Sequence, residues 1–120
     1  MIIGLSGCVT SAHFDNNEYA ASVRLEVHTR QMFGFCETPS KIKLMIEQLE
    51  FDMEYLVTYT GFLEDNKSTH EIALILQSQV KELKQSYEKG VPSDTYCQLK
   101  LKILNIEVQR LLGAVSKKVK

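Results

Sequence analysis

The chain has 120 residues, 44% of them apolar and 24% charged, with a formal net charge of −1. That is the composition of one globular domain, and its near-neutral balance gives no electrostatic ground for nucleic-acid binding. No run approaches the roughly 18 to 20 apolar residues needed to span a bilayer.

The first eight residues, Met1-Ile2-Ile3-Gly4-Leu5-Ser6-Gly7-Cys8, are apolar or small and end in a cysteine. Leu5-Ser6-Gly7-Cys8 resembles the lipobox of small bacterial or bacteriophage lipoproteins, in which small residues before the cysteine admit the signal peptidase and the thiol takes a diacylglycerol. The resemblance covers these four residues. Seven residues precede Cys8 and none is basic, whereas a complete signal has a charged start and an apolar core of about 7 to 15 residues. Residues 1–8 therefore read as the end of a truncated signal. The resemblance implies a lipid on Cys8, attachment to a membrane through it, a polar tether over 9–17 and one periplasmic helical domain over 18–120. Val9 stands where an Asp would mean retention at the inner membrane, which points to the outer membrane. Ile2-Ile3-Gly4-Leu5-Ser6-Gly7 also opens like a P-loop. That chemistry needs a Gly-Lys-Ser/Thr to hold phosphates, and the first lysine is Lys41. The remaining alternative is an apolar terminus packed on an unexported domain.

Periodicity and cap chemistry then predict an all-α antiparallel bundle of three to four helices. Over 17–33 the signals compete: Val23, Leu25 and Val27 alternate as in a strand, while Tyr19, Val23 and Val27 fit a helix. The next helix spans 39–63, with Thr38 as N-cap and Pro39 at the first position, where its missing N–H costs nothing. Ile42, Ile46, Leu49, Met53, Leu56 and Leu63 form its apolar stripe. Ser68 and Glu71 have the spacing of a capping box for a third helix over 69–89, with Ile72, Leu76, Val80, Leu83 and Tyr87 on one face. Gly90 and Pro92 end it. Ser93 caps a fourth helix over 94–116, where Cys97, Leu101, Leu104, Val108, Leu111 and Val115 recur at coiled-coil spacing. Lys117, Lys118 and Lys120 suit the negative end of its dipole.

Short connections make successive helices antiparallel, so the second and fourth start at one end of the bundle. Cys36 and Cys97 lie at that end. An exported protein, as the lipobox resemblance implies, would join them in a disulfide, and a cytosolic one would keep two buried thiols.

Two helices carry a further apolar side: Leu44, Phe51, Tyr55, Tyr59 and Phe62 on the second, Leu99, Ile103 and Ile106 on the fourth. Either the first helix or the N-terminal segment covers them, or they bind a partner or a second copy. Glu47, Glu50 and Glu54 make an acidic strip on the second helix, supported by Lys43 beside Glu47. Residues 91–120 hold six basic residues against two acidic.

His13, His28 and His70 have no metal-binding spacing with another His or Cys, and Cys36 and Cys97 are not a C-x-x-C redox pair. Glu18 and Glu26 can approach His28 on one helix, where exposed charge is the simpler account. The expectation is therefore no catalytic residue, metal, cofactor, nucleic acid or small-molecule substrate. The expected protein acts by protein–protein contact at the periplasmic face of the outer membrane, as a phage- or plasmid-encoded exclusion or envelope factor, or a secretion pilotin. The alternative is a cytoplasmic helical adaptor or inhibitor, dimeric through Tyr55 and Tyr59.

Overall fold

The computed structural model describes residues 13–119. Within them the chain forms helices α1 (Asn16–Met32), α2 (Pro39–Phe62), α3 (Lys67–Lys89) and α4 (Asp94–Ser116), with a 3-10 turn at Phe33–Phe35 before α2. Each helix packs on the two beside it in a ring, α1 on α2, α2 on α3, α3 on α4 and α4 on α1. Cross-helix bonds fix the directions. Asp15 and Asn17 meet Tyr59 while His28 meets Asp52, and Ser86 meets Tyr96 while Lys100 meets Glu82. Low numbers on one helix pair with high numbers on the next, so the bundle runs up-down-up-down. One pole, the stapled pole, holds the α1–α2 and α3–α4 connections. The other, the terminal pole, holds the α2–α3 turn and both ends of the described chain.

The predicted stripe of α4, and that of α2 apart from Leu63, are the core; Leu63 is the C-cap, one residue past the end of α2, and only partly buried. Ile42, Ile46, Leu49, Met53 and Leu56 face Cys97, Leu101, Leu104, Val108, Leu111 and Val115 across it, all buried. On α3 the buried stripe is Ala73, Leu76, Val80, Leu83 and Tyr87, and Ile72 is only partly covered. The competition over 17–33 resolves as helix. Its expected stripe of Tyr19, Val23 and Val27 is not the buried one. The core face is Glu18, Ser22, Leu25, Thr29 and Met32. The two hydroxyls fit because they are satisfied locally: Ser22 donates to the Glu18 carbonyl at 2.8 Å and Thr29 to the Leu25 carbonyl at 2.9 Å, which removes most of the cost of burying a hydroxyl.

Two of the three expected N-caps stand where the sequence put them, and of these Ser93 makes a side-chain cap bond and Thr38 does not. Thr38 is the N-cap of α2 with Pro39 behind it, and Ser93 Oγ accepts from the Tyr96 amide at 3.1 Å. The capping box of Ser68 and Glu71 does not form. The third helix begins at Lys67, two positions earlier than expected, with Asn66 as N-cap. The Asn66 side chain turns inward instead, donating to Glu18 Oε2 at 2.8 Å and to the Thr60 carbonyl at 3.1 Å.

The tether expected over 9–17 is corrected in part. Residues 9–12 lie outside the described residues, as do Cys8 and the truncated signal over 1–8. Residues 13–17 belong to the folded body. The Phe14 amide donates to the Val119 carbonyl at 2.8 Å, and Asp15 caps α1 by accepting from the Glu18 amide at 2.9 Å. At the stapled pole, Cys36 and Cys97 are joined in a disulfide with their Cα atoms 5.8 Å apart. It spans 61 residues and links the α1–α2 corner to the first turn of α4. In the chain-entropy model such a loop contributes about 4 kcal/mol.

Candidate interaction surface

The second apolar sides are not covered by α1. Leu44, Phe51, Tyr55 and Phe62 on α2, and Leu99, Ile103 and Ile106 on α4, are all exposed, Phe62 by 82% and Phe51 by 69%. They form two ridges rather than one surface. At 100° per residue, the α2 set lies on the outer side of the helix toward α1. There it lines two grooves on the α1–α2 seam. One, of about 640 Å³, is bordered by His28, Gln31, Phe35, Lys41, Leu44 and Met45. The other, of about 300 Å³, is bordered by Asn17, Ala20, Arg24, Asp52, Phe51 and Tyr55. The α4 set faces away from α1, because Asn105 and Gln109 reach α1 from the other side of α4 and Gln98 reaches the 3-10 turn that follows α1. It flanks α3, whose Ile75 is also exposed. In a ring of this order the α1–α2 and α3–α4 sides are opposite, so a single flat partner cannot cover both.

Tyr59, expected on the α2 surface, is diverted. Its hydroxyl donates to the Asp15 carboxylate at 2.9 Å and accepts from Asn17 Nδ2 at 3.3 Å. Its ring stacks on Tyr55 with centroids 5.7 Å apart. The Asn17 bond lowers the phenol pKa. The Asp15 bond, desolvation and the charges of Asp15 and Tyr55 outweigh it and leave Tyr59 above its ordinary 10.0.

Polar side chains tie the helices together along the seams. Lys118 Nζ donates to the Glu18 carboxylate and to the side-chain oxygen Oδ1 of Asn66 at the terminal pole. The same pole carries Thr60 Oγ1 bonded to His70 Nδ1 at 3.0 Å. Glu26 accepts from Asn105 at 2.9 Å and pairs with Arg30 at 3.2 Å. His28 meets Asp52 at 2.9 Å rather than Glu18 or Glu26. On the acidic strip, Glu50 bonds Lys84 at 3.1 Å and holds that lysine above its ordinary pKa. Sequence reasoning missed the Glu18–Asn66–Lys118 cluster, although one signal existed: Glu18, Leu25 and Met32 are spaced by sevens on the buried face of α1. Among the described residues no group of three or more His, Cys, Asp or Glu is arranged to hold a metal ion.

No helix among the described residues is long and apolar enough to cross a membrane. No family model, curated protein or solved structure matches this chain.

Proposed function

We propose that the chain is a non-enzymatic helical lipoprotein, anchored through a lipid on Cys8 at the periplasmic face of the outer membrane, that acts by binding another envelope protein. The observation that carries this reading is the α2 ridge. Leu44, Phe51, Tyr55 and Phe62 stay exposed on a bundle whose core is already closed without them. The bundle core among the described residues does not need such a strip, and aromatic side chains bury much area at low entropic cost when a partner covers them. The Cys36–Cys97 bridge supports the compartment, because structural disulfides persist where the surroundings are oxidising. Among envelope roles, a phage- or plasmid-encoded exclusion or envelope factor comes first and a secretion pilotin second.

The test uses protein isolated from its native host. Intact mass should show an acylated Cys8 and two cysteines protected until reduction. Three thiols alkylated without reduction would overturn export and favour the cytoplasmic adaptor. A photo-crosslinking residue at Phe51 should then capture a single envelope protein, and the same residue at Lys81 on α3 should not. Equal yields from the two positions would remove the ridge from the reading.

A further inference from the structure

The terminal pole is built to hold the start of the chain in one place. The Phe14 amide is bonded to the Val119 carbonyl at 2.8 Å, His13 bridges Val119, and Asp15 is held by Tyr59. Beneath that clasp, Lys118, Glu18 and Asn66 form a buried cluster, Glu18 with no exposed surface and Asn66 with 4%. The point at which the lead meets the body is therefore rigid. Five Cα steps separate Cys8 from His13, so the lead cannot exceed about 17 Å, whatever its conformation. A helix the length of α2 spans about 36 Å. A bilayer attached at Cys8 thus lies within reach of the terminal pole and well short of the stapled one.

The side chains at this pole suit a lipid surface. Phe62, at the last position of α2, and Val119, beyond the end of α4, are 82% and 62% exposed. Around them are exposed Lys67 and Lys117 together with exposed Glu64 and Asp65. Balanced charges about apolar tips match a zwitterionic headgroup layer, where aromatic rings settle readily. Lying flat is disfavoured. The α2 ridge is one side chain wide, and Glu47, Glu54, Gln48 and Thr58 are exposed along it, so immersing it would strip water from carboxylates.

We infer that, when tethered through Cys8, the protein stands on the lipid surface with its terminal pole down, Phe62 and Val119 entering the headgroup layer and the helix axes upright. This rests on the lipid anchor of the proposed function. It deepens that reading by leaving Leu44, Phe51 and Tyr55 of the α2 ridge, the α4 ridge and the disulfide clear of the headgroup layer, with Phe62 alone shared between ridge and membrane.

The sequence has no tryptophan and three cysteines, and two of these are bonded to each other. Cys8 can therefore be coupled selectively to a maleimide lipid in phosphatidylcholine vesicles, independently of any native modification. Single tryptophans replace exposed side chains in F62W, L44W and V91W, with thermal melts confirming that each variant is folded. With brominated phosphatidylcholine, F62W should lose emission while L44W and V91W keep theirs. Quenching of L44W to the same extent as F62W would mean that the bundle lies on its side. An unquenched F62W would mean that the pole stands off the bilayer. Either result overturns the inference. Native acylation of Cys8 is read separately by mass, and its absence would sink the anchor without altering the quenching result.

Discussion

Glu18 and Lys118, one hundred residues apart, form an ion pair in which the side chains are 0% and 8% exposed. Asn66 completes it by donating to one partner and accepting from the other. The pair joins the first turn of α1 to the residues after α4, and Asn66 brings in the start of α3. Removing one partner leaves a buried charge alone, which typically costs about 3 to 5 kcal/mol. Lys118→Ala should therefore lower the melting temperature substantially. The double variant Glu18→Leu with Lys118→Met, which removes both charges, should recover most of the loss. Circular-dichroism melts of the three proteins decide it, and equal losses for the single and double variants would contradict the account.

The Cys36–Cys97 bridge predicts a redox-dependent stability. Reduction, or Cys36→Ala with Cys97→Ala, should cost about 4 kcal/mol in the chain-entropy model. The helical content of the folded state should not change, because the core of α2, α3 and α4 closes without the bond. Urea titrations followed by circular dichroism, with and without reductant, should show a lower midpoint and an unchanged native baseline.

Tyr59 predicts an alkaline limit. Its folded pKa lies above the ordinary 10.0, so its contribution is complete below the unfolded value of about 10 and is lost as pH rises through the folded one. Tyr59→Phe should cost about 1 kcal/mol at neutral pH through the lost bond to Asp15. It should also remove one late-ionising phenol from the ultraviolet titration. Tyr87, raised by burial and by the charges of Asp94 and Tyr96, ionises late as well, so the comparison is between wild type and variant.

The ridges predict a separation of binding from folding. Leu44→Ser and Phe51→Ser alter exposed side chains and should change stability by no more than about 0.5 kcal/mol each. Leu76→Ala, in the core, should cost about 2 to 5 kcal/mol. If the α2 ridge is the binding surface, the first two variants lose partner capture at full stability. Variants that melt early would instead assign those side chains to the fold.

How much could be read in advance depended on where the buried positions were apolar. The seam of α4, from Cys97 to Val115, was legible in full because each of its buried side chains on that stripe is hydrophobic. Topology then placed both cysteines at one pole. In α1 neither the element nor its inward face was legible: strand and helix spacings competed over 17–33, and Glu18, Ser22 and Thr29 occupy core positions, satisfied by bonds to their own helix or to distant side chains. Ser68 and Glu71 had the spacing of a cap, yet the helix starts earlier, because Asn66 is held by Glu18 and by the carbonyl of Thr60. Such long-range partners leave no mark in local pattern. The exposed side chains of α2 and α4 were legible as second apolar faces. That they look in opposite directions followed only from the ring order of the helices.

The bond from Phe14 to Val119 brings the two ends of the described chain to adjacent points, while Gly90, at a φ of 150°, turns an exposed loop at the far end of the molecule. A gene rewired to begin at Val91 and finish at Gly90, with Val119 joined to His13 by a brief linker, should yield the same bundle. Order along the polymer would then prove incidental to the shape it encodes.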